Sequence, residues 1–123
     1  MPALTEATLS EAERGALERL VPALQGEFGP RLRSVWLYGS RARGETPHPE
    51  SDVDVLVVLD HRSWEDDHRV YDAVDQVAEP TEGSRVFLST FVYDVERIAQ
   101  RRDIESFFIQ EVDRDKIVLF GEP

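Results

Sequence analysis

The sequence has no cysteine, a single lysine (Lys116), and no apolar run approaching the ~18 residues that a membrane-crossing helix needs. Without cysteine there is no disulfide framework and no thiolate to act as nucleophile or metal ligand. Without a long apolar run nothing is expected to span a membrane. The opening stretch, MPALTEATLSEAERG, has neither the basic start nor the apolar segment of a secretory signal, so a cytoplasmic location is expected. Cations are scarce. Lys and Arg together number 14 against 25 Asp and Glu, for a net charge of −11. The arginines are scattered, and a chain of this charge repels polyphosphate backbones and anionic membrane surfaces. A long nucleic acid is therefore not an expected substrate.

What is present is enough for one domain. The chain has 123 residues, 41% of them hydrophobic, which suits a single small core. Ser10 to Glu13 has the spacing of a capping box, so a helix is expected from Ser10, with Leu17, Leu20, Val21, Leu24 and Phe28 on one face. Pro22 should kink or bound that helix, and Gly29-Pro30 should end it. Arg33 to Tyr38 and Asp52 to Leu59 read as strands. Trp64 to Ala78 reads as an amphipathic helix with a solvated acidic start, Glu65-Asp66-Asp67. After a turn at Pro80 to Gly83 comes a third strand, Val86 to Tyr93. A helix capped by Asp94 is expected through Ile98 and another over Ile104 to Val112, followed by a terminal strand, Ile117 to Phe120. This order predicts an α/β (α+β) fold with a small mixed sheet flanked by helices. It divides one domain, 1–123, into an N-terminal helix (1–30), a core sheet (33–93) and C-terminal helices with a strand (94–123).

Asp54 is the anomaly in this pattern. Its strand carries Val53, Val55 and Val57 on one face and Leu56 and Val58 on the other, so it reads as buried on both sides. Asp52 and Asp54 share a face. Two carboxylates so placed repel each other and are costly to bury unless a partner neutralises them. A divalent cation resolves the conflict, and an oxygen-only pair suits Mg²⁺, which fills its other positions with water and substrate phosphate. The alternative is that Asp52 ends a loop and Asp54 pairs with an arginine.

Tyr38-Gly39-Ser40-Arg41-Ala42-Arg43-Gly44 supplies the second half of a site. A strand ends at a glycine, which lets backbone approach a ligand closely. The N–H groups of the following turn, with the Ser40 hydroxyl, form an anion-binding concavity. Arg41 and Arg43 add positive charge, and Arg41 is positioned to contact phosphate. Alone, a Gly-Ser turn is as readily an ordinary helix cap with solvated arginines. Together, a phosphate cradle ending one strand and a carboxylate pair opening the next make the arrangement that phosphoryl and nucleotidyl transfer require. Ser40, Asp52 and Asp54 are the candidate catalytic residues, Asp52 and Asp54 the metal ligands, and Gly39, Ser40, Arg41 and Arg43 the nucleotide-binding set. His48 reads as a loop residue near the site, and His61 and His68 lack ligand spacing.

Gly39-Ser40, eleven residues, then Asp52-Val53-Asp54 resembles the signature of the DNA polymerase beta nucleotidyltransferase superfamily. The stretch LYGSRARGETPHPESDVDVLVVLD is most similar to its minimal nucleotidyltransferase branch, with one extra residue in the loop Glu45 to Ser51. The resemblance is strong over Trp36 to Leu59. It implies one or two Mg²⁺ ions and transfer of a nucleoside monophosphate, AMP from ATP or the equivalent from another triphosphate, to an acceptor hydroxyl on a protein or small molecule. It also implies a helical HEPN-type partner, since some members of the branch are antitoxins that adenylylate such a partner. A cleft on so small a domain is open on one side, so a second chain, partner or copy, is expected to complete it.

The resemblance breaks at one place. The family's third carboxylate comes from a later strand and stands beside the acceptor. Here that strand runs from Arg85 to Tyr93 without an acid, leaving Phe87 or Ser89 at the position. Asp94 follows it as a helix cap, and Glu79 and Glu82 precede it as loop residues. The alternative expectation is therefore a weak or inactive nucleotide-binding antitoxin or regulator that works by binding its partner.

Overall fold

The structure is a computed structural model that describes residues 5, 7–47, 52–78 and 86–123. The expectations for His48, for the loop 48–51, for Glu79, for the turn 80–83 with Glu82 and for Arg85 lie outside the described residues. Helix α1 (Glu11–Phe28) opens on the expected capping box. Ser10 accepts from the Glu13 amide at 3.1 Å, and the Glu13 carboxylate accepts from the Ser10 amide at 2.8 Å. It runs on through Pro22 instead of ending there. Pro22 and Glu18, the residue four before it, are not buried in the core, so water can meet the carbonyl that the missing amide leaves. A short 3₁₀ turn (Gly29–Arg31) leads into β1 (Leu32–Tyr38), a four-residue helix α2 (Gly39–Ala42), β2 (Val53–Leu59), α3 (Trp64–Ala78) and β3 (Leu88–Asp94). Helices α4 (Val95–Asp103) and α5 (Phe107–Asp115) then precede β4 (Ile117–Gly121).

The sheet is mixed, with order β3-β2-β1-β4. Strand β1 pairs antiparallel with β2 and β4, while β2 and β3 run parallel through the crossover helix α3. Side-chain alternation divides the core into two layers. Val35, Leu37, Val53, Val55 and Val57 face α1 and α3, meeting Leu20, Leu24, Val70 and Val74. Trp36, Leu56 and Val58 face the other way, onto Ile98 of α4 and Ile109 and Val112 of α5. Each fully buried aliphatic of this kind contributes about 1.5–3 kcal/mol. Asp54 lies on the second face, in line with Leu56 and Val58.

Two sequence expectations are corrected. The two C-terminal helices differ in their bounds: the first, expected through Ile98, runs on to Asp103, and the second, expected from Ile104, begins at Phe107, after Glu105, whose φ is 54°. Ser106 starts α5 by accepting from the Ile109 amide at 3.2 Å. The start of α3 is not solvated throughout. Asp66 is buried, and its carboxylate accepts from both terminal nitrogens of Arg31, at 2.7 and 3.2 Å, and from the Ser63 amide. These bonds lower the Asp66 pKa from 3.8 to about 2 against the opposing effect of burial. The contribution is fully present above 3.8 and is lost as pH falls through about 2. Asp66→Asn is expected to cost roughly 2 kcal/mol at neutral pH. In denaturant melts the gap from wild type should shrink in that acid window, and a gap constant with pH would refute the account.

Candidate active site

The site forms where β1 ends and β2 begins. Tyr38 and Asp54 are direct antiparallel partners, so the turn that starts at Gly39 lies against the Asp54 carboxylate. Gly39 has φ +78°, a region that side-chain-bearing residues rarely adopt. A Cβ on it would overlap Asp54 Oδ2 and stand 3.2 Å from Cγ. The glycine is required twice, for its conformation and for the space it leaves the aspartate. Ser40 and Arg43 follow on the same turn. With Tyr38, Gly39 and Asp54 they line a cleft of about 290 Å³, closed on the far side by Phe108, Glu111 and Val112 of α5. Phe108 packs edge-on against Tyr38 and Phe91, at 5.6 and 5.9 Å between ring centres.

Asp54 is half-buried, and no hydrogen bond to its carboxylate is found among the described residues. Burial and the negative charge of Asp52 raise its pKa above 3.8, and Arg43 and Arg41 only partly offset them. Burial and the nearby Asp54 charge likewise push the Tyr38 phenol up. Asp52 itself is exposed, one residue before β2. A half-buried carboxylate with a second carboxylate at its side fits a hard divalent cation. Asp52 and Asp54 are the residues that would hold it, with substrate oxygens and water completing the shell. Among the described residues, no group of three or more acidic, histidine or cysteine side chains is disposed to hold a metal.

The two arginines part company. Arg43 lines the cleft, and its guanidinium pairs with Glu45 and, at 3.2 Å, with Asp115 of α5. Arg41 is placed otherwise than expected. It is buried, donates to Glu13 at 2.6 Å and to the Thr8 carbonyl at 3.2 Å, and is absent from the cleft wall. Glu13 thereby serves both the capping box and Arg41. Burial would raise its pKa, but the Arg41 and Ser10 bonds outweigh burial and hold it below 4.5. Glu13→Ala is expected to cost about 2–3 kcal/mol, from a lost cap and a broken part-buried pair. Because Arg41 is the residue after Ser40, the loss should loosen the Gly39-Ser40 turn as well. A melting curve equal to wild type would contradict this.

The register of β2 on β3 pairs Asp54 with Ser89. Of the two residues expected at the third-acid position, Ser89 is therefore the one beside Asp54. Phe87 lies before β3, exposed, and its carbonyl accepts from the Val53 amide.

A family model for the nucleotidyltransferase domain matches residues 17–120, most of the chain and all of the site above. The chain belongs to the nucleotidyltransferase domain family. A protein of Methanocaldococcus jannaschii named as a putative protein adenylyltransferase is 40% identical over 48 residues, 39% of this chain and 47% of that protein. The spectinomycin adenyltransferase of Enterococcus faecialis, solved with ATP and spectinomycin, has the same fold. Its TM-score is 0.67 at 9% identity, over 88% of this chain and 56% of that one. A complex of tri-AMPylated Shewanella oneidensis HEPN toxin with MNT antitoxin is a more distant likeness, with TM-score 0.45 and 16% identity over 87% of this chain and 71% of that one. The chain spans about half the length of the first two proteins.

Within this nucleotidyltransferase domain, sequence reasoning missed the wall built by α5. Phe108, Glu111 and Val112 reach the cleft from more than fifty residues beyond Asp54, and the tether from Arg43 to Asp115 holds that helix near the turn. Ser106, a helix cap before an apolar run, was the available signal for where α5 begins.

Proposed function

We propose that this nucleotidyltransferase domain binds a nucleoside triphosphate with Mg²⁺ and transfers the nucleoside monophosphate, AMP from ATP, to an acceptor hydroxyl. The observation that carries the reading is the apposition of the Gly39-Ser40 turn to Asp54, so tight that only a glycine fits. The Ser40 hydroxyl and the turn amides would take the outer phosphates, and the Arg43 guanidinium, already oriented by Asp115, would neutralise their charge. Asp52 and Asp54 would hold the cation beside the α-phosphate. When bound, the cation supplies charge neutralisation at the phosphoryl oxygens and the leaving pyrophosphate. The chain's own share is positioning. The Phe108 and Tyr38 rings keep one side of the cleft apolar and limit water, and the Arg41–Glu13 pair anchors the turn to α1. A hydroxyl on a protein, such as a HEPN-type partner that this chain would serve as antitoxin, is the acceptor class we favour, because the cleft is open on one side.

The test uses ATP labelled at the α-phosphate. Label should pass to an acceptor protein in the presence of Mg²⁺ and not with chelator, and calorimetry should register binding of Mg²⁺ with a non-hydrolysable ATP analogue. No binding of that analogue would remove the reading altogether. A second reading, binding without chemistry, is favoured by the serine paired with Asp54 on β3. It requires analogue binding with no AMP-containing product under any condition.

A further inference from the structure

The site has a carboxylate that the strand pattern does not supply. Among the described residues that line the cleft, two are acids, Asp54 on β2 and Glu111 on α5. Glu111 lines the cleft from α5, the helix that Asp115 ties to Arg43. The helix that carries it is firmly held. Ser106 caps it, Ile109 and Val112 are buried, Phe108 packs edge-on against Tyr38, and Asp115 bonds Arg43. Glu111 itself is only loosely engaged. Its ion pair with Arg114 is long, 3.8 Å, and both side chains are substantially exposed. Among the described residues, the other titratable or charged groups that line the cleft are Arg43, Asp54 and Tyr38. Glu111 does not join the aspartates as a third metal ligand, since no such group of three exists among the described residues. A carboxylate that shares a cleft with a metal-binding pair, stands apart from that pair and is weakly paired has the placement of a proton acceptor.

We propose, resting on the transfer reading above, that Glu111 is the acceptor-side base, taking the part that an acid on β3 would play at Ser89. The acceptor hydroxyl gives its proton to the Glu111 carboxylate as its oxygen forms a bond to the α-phosphorus. The bond from that phosphorus to the bridging oxygen breaks, and pyrophosphate departs with the electron pair. The base thus arrives from α5, the helical wall of the cleft, and not from the sheet.

The experiment follows release of labelled AMP from α-labelled ATP with Mg²⁺, water serving as acceptor, in wild type, E111Q, E111D, S89D and the double variant E111Q/S89D. Calorimetry with the non-hydrolysable ATP analogue is run alongside. Turnover in E111Q should fall by about 10²–10⁴ while analogue affinity stays within about twofold, because a base acts on the reaction and not on nucleotide binding. The acid limb of the pH–rate profile should disappear with it. E111D should recover part of the rate, and S89D should restore turnover in the E111Q background by putting an acid beside Asp54. E111Q turning over like wild type, or losing analogue affinity in step with rate, overturns the proposal while leaving the transfer reading standing. Absence of AMP in every variant, wild type included and with the analogue still bound, overturns the proposal, while the transfer reading is decided by the protein-acceptor assay above.

Discussion

Asp54→Asn is expected to abolish transfer, by about 10³-fold or more, and at the same time to make the metal-free protein more stable. The first effect follows, on the proposed function, from removing the charge of the carboxylate that would hold the cation beside the α-phosphate. The second follows from the sign of the pKa shift. Burial and Asp52 raise the Asp54 pKa above 3.8, so the folded chain binds a proton more readily there than the unfolded chain does. Above 3.8 the ionised side chain therefore costs stability, and the cost grows until pH passes the raised folded value. Asparagine keeps the shape and removes the charge. Melting curves of wild type and Asp54→Asn without metal should converge below 3.8 and separate toward neutral pH, with the variant higher by a few degrees. Adding Mg²⁺ should raise the melting temperature of wild type and leave the variant where it was. A variant that melts lower than wild type at neutral pH, or that still answers to Mg²⁺, would sink the account of Asp54 as a charge held at a cost for the sake of a cation.

The same residue explains why so much of this site is legible in the amino-acid sequence. An acid between valines in a strand buried on both faces contradicts the local pattern, and such contradictions concentrate where function is bought with stability. The Gly39-Ser40 turn is legible for a related reason, since a strand that ends on glycine and enters a helical turn has few structural purposes. The elements themselves follow from periodicity. The ranges expected for β2 and α3 match the observed ones nearly residue for residue, and the capping box fixes the start of α1.

What is not legible depends on partners distant in sequence. Asp66 looks like one of three solvated acids at a helix start, because nothing local says that Arg31, thirty-five positions earlier, will reach it across the β1–β2 ladder. Arg41 looks like a phosphate ligand because it follows Ser40, but its direction is set by Glu13 and the Thr8 carbonyl on α1's approach. Phe108 and Glu111 carry no mark as site residues, since only the packing of α5 on the Trp36, Tyr38 and Leu56 face brings them to the cleft. The apolar run Ile104, Phe107, Phe108, Ile109 likewise divides in a way no pattern announces. Ile109 is buried, while Ile104 and Phe107 are 59% and 76% exposed. The break at Glu105 rotates the second helix, so the run does not present one continuous face.

Gly39→Ala is the second large effect expected, and it separates geometry from charge. The substitution leaves every ionisable group in place. It adds one methyl at φ +78°, where an L-residue costs about 1–2 kcal/mol, and aims that methyl at Asp54 Oδ2. The carboxylate must move, since the glycine is bracketed by Tyr38 in the ladder and by α2, and a displacement of this order is worth about 10²-fold or more in rate. Melting should therefore fall and transfer should fall further than the stability loss accounts for. The double variant tests the cause. In an Asp54→Ala background the obstructing oxygen is gone, so the steric part of the Gly39→Ala penalty should vanish and the conformational part remain. Additive losses in the double variant would mean that the two residues do not touch in the folded protein, and the close approach on which the whole site rests would have to be abandoned.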